Sequence, residues 1–187
     1  MAGERKQQIL EILAKMLEAP KHEKITTAAL AARLEVSEAA LYRHFASKAQ
    51  MFEGLIEFIE LSLFGLLNKI SSEEEEGLKQ VRRMLTVMLL FAEKNPGMTR
   101  VLIGDALVNE DDRLQARINQ LYDRVESTLK QSLRIAEAQT GRTLEPEAQA
   151  NLLLCFVIGR WQQFAKSGFK RKPMEFMQQQ LSMLING

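Results

Sequence analysis

Between Ile25 and Phe52 the run ITTAALAARLEVSEAALYRHFASKAQMF starts a helix twice in quick succession, and no other stretch so narrows the folds open to this chain. Ala28, Leu30, Ala31 and Leu34 recur at helical intervals, and Thr26 or Thr27 can cap the first helix. A second start follows at once. Ser37 can cap it, Glu38 puts negative charge in the first turn, where the helix dipole favours an acid, and Ala40, Leu41 and Phe45 supply a short apolar side. This second helix has only about nine residues, too few to hold itself in water. It must be pinned by the helix before it, as the second element of a helix-turn-helix is. Its outward face carries Glu38, Ala39, Tyr42, Arg43 and His44. Small residues at its beginning let the backbone approach base edges, while the longer side chains reach phosphates or bases. The stretch has the form of a DNA-reading head.

The run VSEAALYRHFASKAQMF resembles the helix-turn-helix of the TetR family of regulators. Within that family the wider segments ITTAALAARLEVSEAALYRHF, LIEFIE, EKNPGMTRVL, RLQARINQLYDRVE and SGFKRKP are similar to the bacterial nucleoid occlusion factors. The similarity spans most of residues 5–135, weakens over 136–165 and returns near Phe169. It implies an all-α fold with a three-helix head over residues 1–50 and a helical regulatory and dimerisation body over 51–187. One departure lies in the motif itself. Glu35 stands at the turn where the family usually has Gly, and a non-Gly residue in a left-handed turn costs on the order of 1 kcal/mol.

The remaining chain is globular in composition, and its 46% of hydrophobic residues is ample for a core. A net charge of +1 excludes a non-specific nucleic-acid coat, so DNA contact must come from a local patch. Residues up to Lys48 carry eight basic against six acidic side chains, 51–110 six against ten, and the remainder eleven against eight. The single cysteine, Cys155, cannot form an internal disulfide, and within LLLCFVIG it is expected to be buried, reduced and inert. GERKQQ leads into an amphipathic helix rather than a secretory signal. The apolar runs TVMLLFA and LLLCFVIG fall well short of the roughly 20 residues a membrane crossing needs. The expected location is cytoplasmic and nucleoid-associated, with no membrane partner.

Helical spacing continues along the whole chain. Ile9, Ile12, Leu13, Met16 and Leu17 line one side of a helix over 5–19 that Pro20 ends. Arg5 and Lys6 at its start can touch phosphates. Nucleoid occlusion factors tend to have a longer basic tail here, which implies fewer phosphate contacts and a shallower salt dependence for this chain. Ser47 and Lys48 begin a long helix running to about Ile70. Lys48 opposes the dipole in its first turn, so its charge is aimed at an external phosphate. Ser71 to Gly77, with the acidic run Glu73 to Glu76, is a solvated interruption. Leu78 to Phe91 is apolar on all sides, as befits a central bundle helix, and Asn95, Pro96 and Gly97 stop it. A short helix over Thr99 to Val108, a long one from Asp111 to about Gln139, one from Pro146 to near Gly168 and a last one from Pro173 through Asn186 complete about nine helices. No strand pattern interrupts them.

The apolar residues Phe156, Trp161, Phe164, Phe176, Met177, Leu181, Leu184 and Ile185 exceed what an exposed terminal pair of helices would carry. With the TetR resemblance, they imply a homodimer closed across four helices. Dimerisation sets two reading helices in successive major grooves of double-stranded DNA, about 34 Å apart or somewhat more, on a near-palindromic site. The residues assigned to DNA are Arg5, Lys6, Thr27, Ser37, Glu38, Ala39, Tyr42, Arg43, His44 and Lys48. His22 and His44 are too few and too badly placed for a metal, and no nucleotide loop, HExxH or nucleophile elbow is present. The expectation is therefore no enzyme and no cofactor.

Two functions follow. The occlusion resemblance implies DNA-bound dimers that engage the C-terminal tail of the tubulin-like division protein FtsZ and prevent septum assembly over the chromosome. Its partner surface lies between the helix carrying LIEFIE and the one ending at EKNPG, where Phe58, Lys94 and Asn95 stand. Leu66 replaces a basic residue of that family and Leu90 a small one, changes expected to narrow or abolish the partner groove. The alternative is a ligand-responsive TetR-type transcriptional repressor, whose pocket would draw on Thr86, Met88, Leu89, Phe91, Asn119 and Gln162. These are mostly packing residues.

Overall fold

The computed structural model describes residues 2–19 and 25–185. Within them the chain forms nine helices and no strand, the all-helical architecture its spacing predicts: α1 (Ala2–Met16), α2 (Thr27–Arg33), α3 (Glu38–Tyr42), α4 (Lys48–Glu73), α5 (Gly77–Lys94), α6 (Pro96–Leu102), α7 (Asp112–Thr140), α8 (Pro146–Lys166) and α9 (Met177–Ile185). Pro20, His22 and Asn186 lie outside the described residues.

Local signals set most of the ends. The Thr26 hydroxyl caps α2 by accepting from the Ala29 N–H at 3.1 Å, and Ser37 caps α3 by accepting from the Ala40 N–H at 3.3 Å. Pro146 occupies the first turn of α8, where its missing N–H costs nothing. Three expected lengths change. The α3 helix covers five residues, because the His44 N–H turns back to the Leu41 carbonyl and tightens the last turn. α6 closes at Leu102, and α9 opens only at Met177, after a turn through Pro173 to the left-handed Phe176.

The helices gather into two compact units, one of residues 1–59 and 95–118, the other of 60–94 and 119–187. This grouping differs from a linear cut after residue 50, since α6 and the start of α7 join the head. In the head unit, Ile9, Leu13 and Met16 of α1, Leu30 of α2, Leu41 of α3, Phe52 and Leu55 of α4 and Val101 of α6 are all buried. α6 lies so close to α1 that a Cβ on Gly97 would stand 1.9 Å from the Ala14 carbonyl oxygen. No residue larger than glycine fits there.

The second unit is built round α5. Met88 and Leu89 of α5, Leu121 and Leu129 of α7 and Leu153, Val157, Trp161 and Phe164 of α8 are at most 1% exposed. The Trp161 indole N–H donates to the Met88 carbonyl at 3.1 Å, so the largest core side chain leaves its polar atom satisfied. Tyr122 packs with its ring 6.5 Å from that of Trp161, and burial pushes its phenol well above the ordinary range. It stays protonated at neutral pH. Where α5 begins, Gly77 allows contact with α7, since a Cβ would lie 2.4 Å from the Ser132 carbonyl oxygen. A buried polar knot stands beside it. The Ser132 hydroxyl donates to Gln80 Oε1 at 2.7 Å, and Gln80 Nε2 donates to the Glu74 carbonyl at 2.6 Å.

Candidate nucleic-acid interface

The face expected to read DNA lies on α3 and the turn that follows. Leu41 and Phe45 turn inward and anchor the short helix on the core, which leaves Ser37, Glu38, Ala39, Tyr42 and Arg43 exposed and His44 half-buried. Tyr42, at 46% exposure, is the largest apolar surface on this face. Thr27 and Glu38 bind each other. The Thr27 hydroxyl donates to Glu38 Oε2 at 2.6 Å, so a carboxylate that phosphates would repel braces α3 against α2. Glu35, between the two helices, has φ of 54° and takes the left-handed turn the motif requires.

The outlying members sit differently. At the start of α1, Arg5 Nη1 donates to Gln8 Oε1 at 2.5 Å, and the exposed Lys6 holds its Nζ 5.5 Å from the centre of the Phe45 ring. Lys48 opens α4, where an external phosphate was the expected partner. In the free chain its Nζ instead pairs with the carboxylate of Glu110, on the connection between α6 and α7. That contact bridges residues 62 apart in sequence, and spacing gives no sign of it.

Of the residues expected at a dimer contact, Trp161 and Phe164 are fully buried and Met177 and Leu181 are 7% and 4% exposed, so these four pack inside the single chain. They pack inward because α8 is apolar on two sides, and its Leu153, Val157, Trp161, Phe164 stripe faces α5. The opposite stripe of α8 carries Phe156, also expected at that contact. Leu152, Cys155 and Gly159 are exposed there and Phe156 half-buried, at spacings of three and four that put them on one helix face. Cys155 is thus exposed, not buried as its apolar neighbours suggested. Phe176 at 60% and Met183 at 76% add apolar surface near and on α9, with Leu184 half-buried.

Of the residues expected to meet a protein partner, Phe58 on α4 is 40% exposed, Lys94 ends α5 exposed, and Asn95 stands half-buried at the N-cap position of α6. In the second unit a groove of about 380 Å³ runs between α4 and α5, lined by Leu66, Lys69, Ile70, Glu73, Arg83, Thr86 and Val87. Its floor is apolar and its rim carries two cations in loose surface pairs, Lys69 with Glu73 at 3.8 Å and Arg83 with Glu74 at 3.6 Å.

Comparison with known proteins covers nearly the whole chain. A family model described as bacterial regulatory proteins of the tetR family matches residues 22–55, and an SlmA-like model described as a tetracyclin repressor-like C-terminal domain matches 75–187. The chain is 53% identical over 178 residues to the nucleoid occlusion factor SlmA of Alteromonas mediterranea, a match covering 94% of this chain and 91% of that protein. To the nucleoid occlusion factor SlmA of Shewanella pealeana it is 50% identical over 186 residues, covering 95% and 94%. Among solved structures, a TetR transcription regulator from Haloarcula marismortui superposes with a TM-score of 0.83 at 14% identity, covering 98% of this chain and 97% of that one. FadR of Bacillus subtilis in complex with stearoyl-CoA does so with a TM-score of 0.77 at 12% identity, covering 97% and 98%. At such identities the likeness to both structures is one of fold.

Proposed function

Since the chain belongs to the SlmA family of nucleoid occlusion factors, built on the TetR fold, we propose that it binds a near-palindromic DNA site as a homodimer and, on DNA, engages the FtsZ tail to stop septum assembly over the chromosome. The observation that carries this reading is the contrast within the second unit between a filled interior and an open groove. Met88, Leu89, Leu121, Leu153, Val157, Trp161 and Phe164 occupy the space in which a ligand-responsive repressor would hold its effector. The groove between α4 and α5 offers the opposite character, apolar at its floor and rimmed by the loose pairs of Lys69 with Glu73 and Arg83 with Glu74.

An extended peptide fits such a groove by laying apolar side chains against Leu66, Ile70 and Val87 while its acidic groups exchange with Glu73 and Glu74 for Lys69 and Arg83. Exposed ion pairs are worth roughly 1 kcal/mol or less, so the exchange costs little. The groove stays open with Leu66 in its lining, where the family carries a basic residue. Phe58 supplies a separate exposed anchor on α4, and Lys94 and Asn95 remain assigned to the same partner. For the dimer, the exposed α8 stripe of Leu152, Cys155, Phe156 and Gly159 is the surface to be covered by a second copy.

The experiment is a pull-down of the DNA-bound chain with a peptide of the FtsZ C-terminal tail, in wild type, Phe58→Ala and Arg83→Glu. Retention by the wild type and release by either variant, with DNA binding intact, is the expected result. Retention that neither substitution weakens removes these surfaces from the reading. Release of DNA by a small acyl-CoA or other metabolite, with no tail bound, returns the function to a ligand-responsive repressor.

A further inference from the structure

We propose that Glu110 sets the DNA affinity of the head by competing with phosphate for the ammonium of Lys48, an inference that rests on the DNA-binding reading above. Lys48 opens α4 directly after the reading face, the position from which its charge was expected to meet the DNA backbone. In the free chain that charge is already held by the Glu110 carboxylate. The two side chains are 28% and 20% exposed. This is sheltered enough for the pair to persist and open enough for the amine to exchange one anion for another.

The connection between α6 and α7 is shaped to deliver that carboxylate. It turns at Gly104, with φ of 75°, where a Cβ would stand 2.4 Å from Gln115 Oε1, and again at Asn109, with φ of 66°. The Ala106 N–H donates to the Arg100 carbonyl and the Glu110 N–H to that of Leu107, both at 3.0 Å, and buried Leu107 anchors the bend. Just beyond it, Arg113 pairs with Glu53 of α4 at 3.0 Å. The carboxylate is thus held at the start of α4 by a braced loop. It is no freely waving surface acid.

A phosphate that takes the full charge of Lys48 must draw it away from this pair, and the lost pairing weakens binding. Glu110 touches no base and no phosphate in this scheme; it acts wholly through Lys48. That distinguishes it from an acid that repels DNA from a distance.

A double-mutant cycle separates the two. The full-length chain is titrated, at low and at moderate salt, against the duplex that the wild type enriches from a random-sequence pool, with wild type, Glu110→Gln, Lys48→Met and the double variant compared and their melting temperatures recorded. Glu110→Gln is expected to bind about three- to fivefold tighter than wild type, whereas in the Lys48→Met background the same change leaves affinity unchanged within error. Equal tightening in both backgrounds, no tightening, or weaker binding by Glu110→Gln overturns the proposal. A wild type that enriches and binds no duplex overturns the head reading itself, and the proposal with it.

Discussion

Glu35 holds a left-handed backbone angle between α2 and α3 that its side chain does nothing to relieve, since it is exposed and its φ is 54°. Glycine removes the steric cost of that angle but adds freedom to the unfolded chain, and the first effect is the larger. Glu35→Gly is therefore expected to raise stability by about 0.5 kcal/mol, read as an increase in the denaturant midpoint at unchanged slope. Tyr42 makes the opposite kind of contribution. Half-exposed on the reading face and outside the core, it can be cut to alanine without unfolding the head. Tyr42→Ala should weaken duplex binding about tenfold while leaving the oligomeric state unchanged in sedimentation. Such residues were legible in sequence because caps, turns and outward faces depend on neighbours a few positions away. Thr26, Ser37, Glu35 and Tyr42 all stand as their local context requires. The Lys48 pair with Glu110 was not legible, since it depends on the path of a loop far along the chain.

At the scale of helices, two close approaches organise the packing, α6 on α1 at Gly97 and α5 on α7 at Gly77. Each is a backbone contact that a methyl group would break. Gly97→Ala forces a Cβ to within 1.9 Å of the Ala14 carbonyl oxygen, which rigid backbone on both sides cannot accommodate without α6 moving off α1. The expected loss is about 3 kcal/mol in chemical denaturation, accompanied by weaker DNA binding because α1 braces the reading helices. Sequence periodicity located every helix but does not tell which side of α8 faces inward. Both sides of that helix are apolar, so hydrophobicity alone does not separate the stripe of Trp161 and Phe164 from that of Leu152 and Phe156. Residue size offers a further cue. Cys155 and Gly159 are small residues spaced to share a face with Leu152 and Phe156, a pattern suited to close approach by a second helix.

For the molecule as a whole, recognition needs two heads, because one short helix reads too few base pairs to specify a chromosomal site. The exposed α8 stripe supplies the proposed two-fold contact. Leu152→Glu places a charge on this apolar stripe and should give a folded monomer whose duplex affinity falls at least about a hundredfold. Retention of the dimer in sedimentation would move the interface elsewhere. Mapping the binding sites of this chain across the genome in growing cells checks whether it marks the chromosome against septum formation. Many near-palindromic sites scattered over the chromosome and depleted around the replication terminus are expected. One or a few sites beside a neighbouring operon, cleared when a metabolite is added, would overturn that function.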